Sequence, residues 1–167
     1  LETALAYAKA IGSARAAVFT STFKEETETD LFGEQVILTG SIPMIIIESY
    51  KVLLEYGYSP IVSWFVCFYE LKTITDLMFE KGMGSFYDMI SDTARYGGIS
   101  RGKRLIDKNF KNKIKTILHE IRNGDFNKEL NDALSDRNQR HNLKNVFNSD
   151  EFNEIEKKLL SKIKDIS

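Results

Sequence analysis

The chain has 167 residues, the size of one ordinary domain and too short for two well-packed ones. Hydrophobic residues at 43% and charged residues at 28% describe a globular chain, and 23 basic against 24 acidic side chains exclude the clearly basic balance of a dedicated nucleic-acid binder. Cys67 is the sole cysteine, so no internal disulfide forms, a reducing compartment suits the chain, and with only His119 and His141 beside it a Cys/His zinc site is excluded.

The first residues lack the basic-then-apolar pattern of a signal peptide, and a cytoplasmic location is expected. Residues from Glu2 to about Ala14 are rich in Ala and read as a helix ending near Gly12, followed by a short connection to Thr22. Thr22-Phe23-Lys24-Glu25 has the form of a capping box and opens a helix expected to run to about Gly40. The apolar run Pro43 to Ile47 leads into a helical stripe of Ile46, Ser49, Leu53 and Tyr56 that stops at Gly57. Ser59-Pro60, an N-cap residue followed by Pro at the first helical position, starts a helix that continues to about Lys81. Its stretch from Ile61 to Phe79 is the most apolar of the chain by this reading. Glu70, Lys72 and Asp76 interrupt it, so it reads as a buried helix with no membrane span. Gly82-Met83-Gly84 breaks that helix, Ser85 to Arg95 is a further short one, and Gly97-Gly98 is expected to end it.

Beyond Ser100 the composition turns basic through Arg101, Lys103, Arg104, Lys108, Lys111, Lys113 and Lys115, with Ile114, Ile117, Leu118 and Ile121 on one face. This reads as a solvated helix face. After Gly124 the chain is polar until a final amphipathic helix marked by Phe152, Ile155, Leu159 and Ile163. No internal repeat and no sustained β alternation is present. The fold class is all-α.

Asp30 and Glu34 stand at i and i+4 and share one helix face. Like charges at that spacing repel by roughly 0.2–0.5 kcal/mol, and Gly33 between them costs about 1 kcal/mol against Ala in a helix interior. A sequence that accepts both costs in one turn suits a bridging cation and a close backbone approach. Carboxylates of this kind suit Mg²⁺, which takes one or two of them and leaves other positions to water or substrate. A solvated acidic face near a helix N-terminus explains the same residues without any ligand. Glu70 has Val66, Cys67, Thr73 and Ile74 as its helical neighbours. On such an apolar face a carboxylate is paired with a cation of another helix, protonated or metal-bound. Gly97 to Arg104 fits G-x-x-x-x-G-K, but Arg104 replaces the Ser or Thr of a phosphate-binding loop and no strand precedes it. Cys67, among aromatic residues with no adjacent cation, reads as core packing.

Together these segments resemble the C-terminal helical domain of ketol-acid reductoisomerases. The resemblance begins at Ala4-Leu5-Ala6-Tyr7-Ala8-Lys9-Ala10-Ile11-Gly12 and is most specific over the string from Thr22 to Gln35. It continues through Glu55 to Pro60, Glu70-Leu71-Lys72, Ile90-Ser91-Asp92-Thr93-Ala94 and Tyr96-Gly97-Gly98, and is faint after Arg122. It implies a knotted helical domain, intertwined as a homodimer, with residues 1–124 forming the metal, substrate and dimerisation unit and 125–167 its polar helical extension. It implies an enzyme that converts 2-acetolactate or 2-aceto-2-hydroxybutyrate, small 2-hydroxy-3-keto acids, into dihydroxy acids of branched-chain amino-acid biosynthesis. Two Mg²⁺ ions and NADPH (or NADH) serve that reaction, the nucleotide being held by an N-terminal domain absent from this sequence. By the same resemblance Asp30 bridges both ions, Glu34 binds one, and Glu70 reaches the second from the partner subunit. Ser91 binds the substrate carboxylate, with Ile90 and Ala94 beside it. Two departures bear on this: Val66 stands where the family has a second glutamate, and Ser41-Ile42-Pro43-Met44-Ile45 is unlike the family pattern. The alternative is a catalytically inactive relative that acts as a dimerisation or regulatory module.

Overall fold

The computed structural model describes residues 1–136, 138, 142 and 150–164, and among them there are helices and turns but no strand. The all-α expectation holds. His141 and parts of the 125–167 extension lie outside the described residues. Helix α1 spans Glu2–Ala10, and α2 spans Phe23–Gly33. Thr22 caps α2 as its residue type suggests: its Oγ1 accepts the Glu25 amide at 3.1 Å. The Glu25 carboxylate then accepts the Ser21 hydroxyl at 3.1 Å and does not close the box on Thr22.

After Gly33 the helix widens into a π turn over Glu34–Leu38, and α3 follows at Ser41–Glu55. Helix α4 at Pro60–Trp64 passes through a second π turn, Phe65–Tyr69, into α5 at Glu70–Lys81. The expected helices to about Gly40 and from Pro60 to Lys81 are therefore present, each with one wide turn inside it. The chain ends with α6 at Asp92–Leu105, α7 at Lys108–Asn123, α8 at Asp125–Ser135 and α9 at Asp150–Lys164.

Two expectations about the middle of the chain are corrected. Ser85–Met89 is a 3₁₀ turn, and the next helix starts afresh at Asp92 and runs through Gly97-Gly98 to Leu105. The Ser91 Oγ accepts the Ala94 amide at 3.2 Å, and Asp92 pairs with Arg95 in the first turn. That start carries the helix past glycines costing about 1 kcal/mol each. The inward face of α3 is likewise Ile46, Ile47 and Tyr50, with Leu54 beside them, while Ser49 and Tyr56 are exposed. Contact with α4 and α9 selects that phase from a helix with apolar residues on several sides.

The core joins Ile46, Ile47 and Tyr50 of α3 to Trp64 of α4 and Phe152 of α9. Phe152 meets the Tyr50 ring edge-on at 5.0 Å, and Trp64 meets Phe68 at 5.4 Å. Ile155, Leu159 and Ile163 of α9 pack on this cluster, as their spacing predicts. The stretch from Ile61 to Phe79 is not buried as expected. Only Ser63 and Trp64 are enclosed, while Ile61, Val62, Phe65, Val66 and Phe79 are open. Nor is it the most apolar region: Phe23–Glu55 contains a helical window long and apolar enough, by length and composition alone, to cross a bilayer.

Candidate metal centre

Helix α2 presents two different acidic faces. Glu28 turns toward α7, where it pairs with Arg122 at 3.6 Å and with Lys24 of its own helix at 3.9 Å. Asp30 and Glu34 lie on the other side, both exposed, and neither side chain has a hydrogen-bond or ion-pair partner among the described residues. Arg122 thus satisfies the carboxylate that packs and leaves open the two that the spacing singled out.

Asp30 and Gly33 share an open hollow of about 490 Å³ with Phe19, Thr20, Thr29 and Leu38. A Cβ built on Gly33 would meet nothing within 4 Å. The close approach suggested by that glycine is therefore not made by any part of the chain itself. Space is left for a group from outside beside the Asp30 carboxylate, while Glu34 lies outside the lining of that hollow.

Glu70 opens α5 directly after the second π turn and is exposed, as is Val66 one turn earlier. The expectation of a desolvated carboxylate on an apolar face is corrected for the single chain: Val66 and Thr73 are exposed with it, while Cys67 and Ile74 are half-buried. No cation of another helix pairs with it among the described residues. Ser91 stands exposed at the N-cap of α6, where its oxygen accepts the Ala94 amide and its own proton stays free to donate. Ile90 beside it is half-buried, and Ala94 is exposed. Gly97 to Arg104 lies inside α6, so the phosphate-loop match was rightly set aside. Cys67 is half-buried and burial pushes its thiol up, which suits packing and not nucleophilic work.

Among the described residues no three His, Cys, Asp or Glu side chains come together to hold a metal ion. Asp30 and Glu34 share a face, and Glu70 does not join them within one chain. The donors present fit a hard divalent cation, since both are carboxylates without a competing protein cation. They supply only part of an octahedral shell.

Sequence reasoning missed that both candidate elements adjoin a π turn. Such turns appear often at functional sites, but their wider hydrogen bonding has no residue signature. The turn after Glu34 is tightly made. The Glu34 carbonyl accepts the Thr39 amide at 2.9 Å and the Thr39 hydroxyl at 3.0 Å, and also the Gly40 amide at 3.1 Å.

The family model described as "Ketol-acid reductoisomerase, C-terminal domain" matches residues 23–164. This chain belongs to that family. It is 45% identical over 157 residues to the ketol-acid reductoisomerase (NADP(+)) of Methanopyrus kandleri, covering 94% of this chain and 47% of that protein. It also superposes, with TM-score 0.87 and 31% identity, on the structure of an NADH-preferring ketol-acid reductoisomerase from an uncultured archean, covering 96% of this chain and 49% of that one. The chain therefore spans about half the length of the relatives it matches. The family match reaches through α9, past the point where the resemblance of the sequence fades.

Proposed function

We propose that this chain is the Mg²⁺- and substrate-binding half of a ketol-acid reductoisomerase. The enzyme would convert 2-acetolactate or 2-aceto-2-hydroxybutyrate to a dihydroxy acid in valine and isoleucine biosynthesis. NADPH or NADH would be held by an N-terminal domain outside this chain, in line with the names of the two relatives. One observation carries the reading: two exposed carboxylates, Asp30 and Glu34, unpaired among the described residues on one face of α2, with unfilled space beside Asp30 and Gly33, in a chain of this family.

When bound, Mg²⁺ supplies Lewis-acid polarisation and a template for the substrate oxygens. Asp30 and Glu34 would hold the ions from α2, and Glu70 would complete the set from a second subunit. Ser91 donates its hydroxyl proton to the substrate carboxylate while the Ala94 amide fixes its oxygen. Ile90 and Ala94 line the apolar side of the substrate.

The partner is a second copy of the chain, with helical domains that interlock and residues 125–167 extending the unit of 1–124. The chain exposes 13581 Å², whereas a compact monomer of its 19.1 kDa mass exposes roughly 8,400 Å². The excess, roughly 5,000 Å² on one chain, is more than the roughly 1,000–2,500 Å² per partner that an obligate dimer interface commonly buries, so it leaves ample surface for one. A membrane is the poorer cover, because Glu25, Glu26, Glu28, Asp30 and Glu34 crowd the start of the apolar stretch. The enzyme works in the cytoplasm and takes neither nucleic acid nor membrane as partner.

The test is Mg²⁺ titration calorimetry on the full-length protein, with and without a chelating substrate analogue. Mg²⁺ dehydrates reluctantly, so binding is expected to be weak alone and tighter when the analogue adds oxygen ligands. Equal affinity in wild type and Asp30→Ala would remove Asp30 from the site. Val66 favours a second reading, an inactive relative that keeps only the dimerising scaffold. That reading gains if full-length protein binds the analogue but turns over no 2-acetolactate.

A further inference from the structure

The wide turn that follows Glu34 is not required by the amino-acid pattern, which suits an unbroken helix as far as Gly40. It is held by three donors on a single acceptor. The Glu34 carbonyl takes the Thr39 amide (2.9 Å), the Thr39 hydroxyl (3.0 Å) and the Gly40 amide (3.1 Å), where an α-helix would supply one donor from residue 38. Gly40 fits there because it has no side chain: a Cβ on it would overlap the Gln35 carbonyl oxygen. Thr39 adds a hydroxyl that valine, its near-isostere, would lack.

All three bonds end on the backbone of one candidate metal ligand. A carboxylate on an exposed helix face otherwise swings with the last turn of its helix, and helix ends fray. Tying the carbonyl from two following residues holds the Cα of Glu34, and with it the root of the side chain, in a fixed relation to Asp30 one turn earlier. Mg²⁺ demands near-ideal octahedral geometry, so a ligand held in place binds it with less ordering cost than a loose one.

We propose that Thr39 and Gly40 are positioning residues for Glu34, clamping the π turn so that the Glu34 carboxylate stays aligned with Asp30 for a divalent cation. The proposal rests on the Mg²⁺ reading of α2. Neither residue touches the ion; both act through the Glu34 backbone.

The test uses full-length protein and Mg²⁺ alone as the probe, followed by titration calorimetry, for wild type, Glu34→Gln, Thr39→Val, Thr39→Ser and Gly40→Ala. Glu34→Gln is expected to lose at least tenfold in affinity. Thr39→Val is expected to lose roughly three- to tenfold, the worth of one neutral hydrogen bond, and Thr39→Ser to recover most of it. The unfolding midpoint of Thr39→Val in excess chelator should stay within a degree or two of wild type, which separates positioning from a general loss of structure. Gly40→Ala, which must open the turn, should bind more weakly than Thr39→Val if it folds. Wild-type affinity in Thr39→Val together with weakened Glu34→Gln overturns the clamp and leaves the metal reading standing. Wild-type affinity in Glu34→Gln overturns both.

Discussion

Phe152→Ala tests whether the last helix is structurally part of the unit that carries the site. Phe152 sits in α9, more than 80 residues from Phe68 and about 100 from Tyr50, and is only 6% exposed. Its ring meets Tyr50 edge-on at 5.0 Å and Phe68 at 6.1 Å, and Ile46 and Ile47 share its cluster. Truncating a buried Phe to Ala costs about 3–5 kcal/mol, because the transfer energy of the ring is lost and a cavity remains. Two edge-on ring contacts disappear with it, each worth about 0.5–1.5 kcal/mol beyond area, so the upper part of that range is expected. Urea unfolding at fixed protein concentration reads the loss directly. In a thermal scan it corresponds to a fall in Tm of roughly 6–20 °C at about 2–4 °C per kcal/mol. Phe152→Leu keeps most of the volume and should cost about 1–2 kcal/mol. A loss below about 1 kcal/mol in Phe152→Ala would refute the reasoning and detach residues 125–167 from the unit of 1–124.

Other consequences are equally specific. The buried Tyr50 hydroxyl has no hydrogen-bond partner among the described residues, so Tyr50→Phe should leave stability unchanged or raise it by about 1 kcal/mol, measured in urea at pH 8; a loss above that would mean the hydroxyl is bonded. Burial, and then the nearby Glu151 carboxylate, push the Tyr50 phenol above its ordinary 10.0. The stability tied to its neutral form is full below pH 10 and falls as pH rises toward the folded value, so wild type should lose more between pH 8 and pH 11 than Tyr50→Phe, and equal losses would contradict this. Gly33→Ala meets no atom of its own chain and should firm up α2 by up to about 1 kcal/mol while weakening Mg²⁺ or analogue binding in the full-length protein; unchanged binding would mean nothing approaches that face. Val66→Glu adds a carboxylate one turn before Glu70, and its Tm should rise with excess Mg²⁺ and fall in chelator relative to wild type. A mutant Tm indifferent to Mg²⁺ would take residue 66 out of any metal site.

Much of the architecture was legible residue by residue, because local physics decides it. The Thr22 cap, the Pro60 start and the α9 stripe of Phe152, Ile155, Leu159 and Ile163 are each written within a turn or two of chain, and each is found where its pattern lies. The pairing of Asp30 with Glu34 on one face follows from helical spacing in the same way. The family, too, was readable from the string between Thr22 and Gln35.

What tertiary structure decided is where several local answers were equally good. Helix α3 is apolar on so many sides that only its contacts with α4 and α9 could choose Ile46, Ile47 and Tyr50 as the buried set. The choice of Glu28 as the packed carboxylate of α2, with Asp30 and Glu34 left free, depends on Arg122, nearly 100 residues away. The π turns at Glu34–Leu38 and Phe65–Tyr69 carry no residue pattern, since the same residues can bond four or five positions along the chain. Glu70 shows the boundary most sharply. Its apolar neighbours foretold burial, yet in one chain Glu70 and Val66 remain open while Cys67 and Ile74 are half-buried, because a sequence records how apolar a face is and only the tertiary structure determines what covers it.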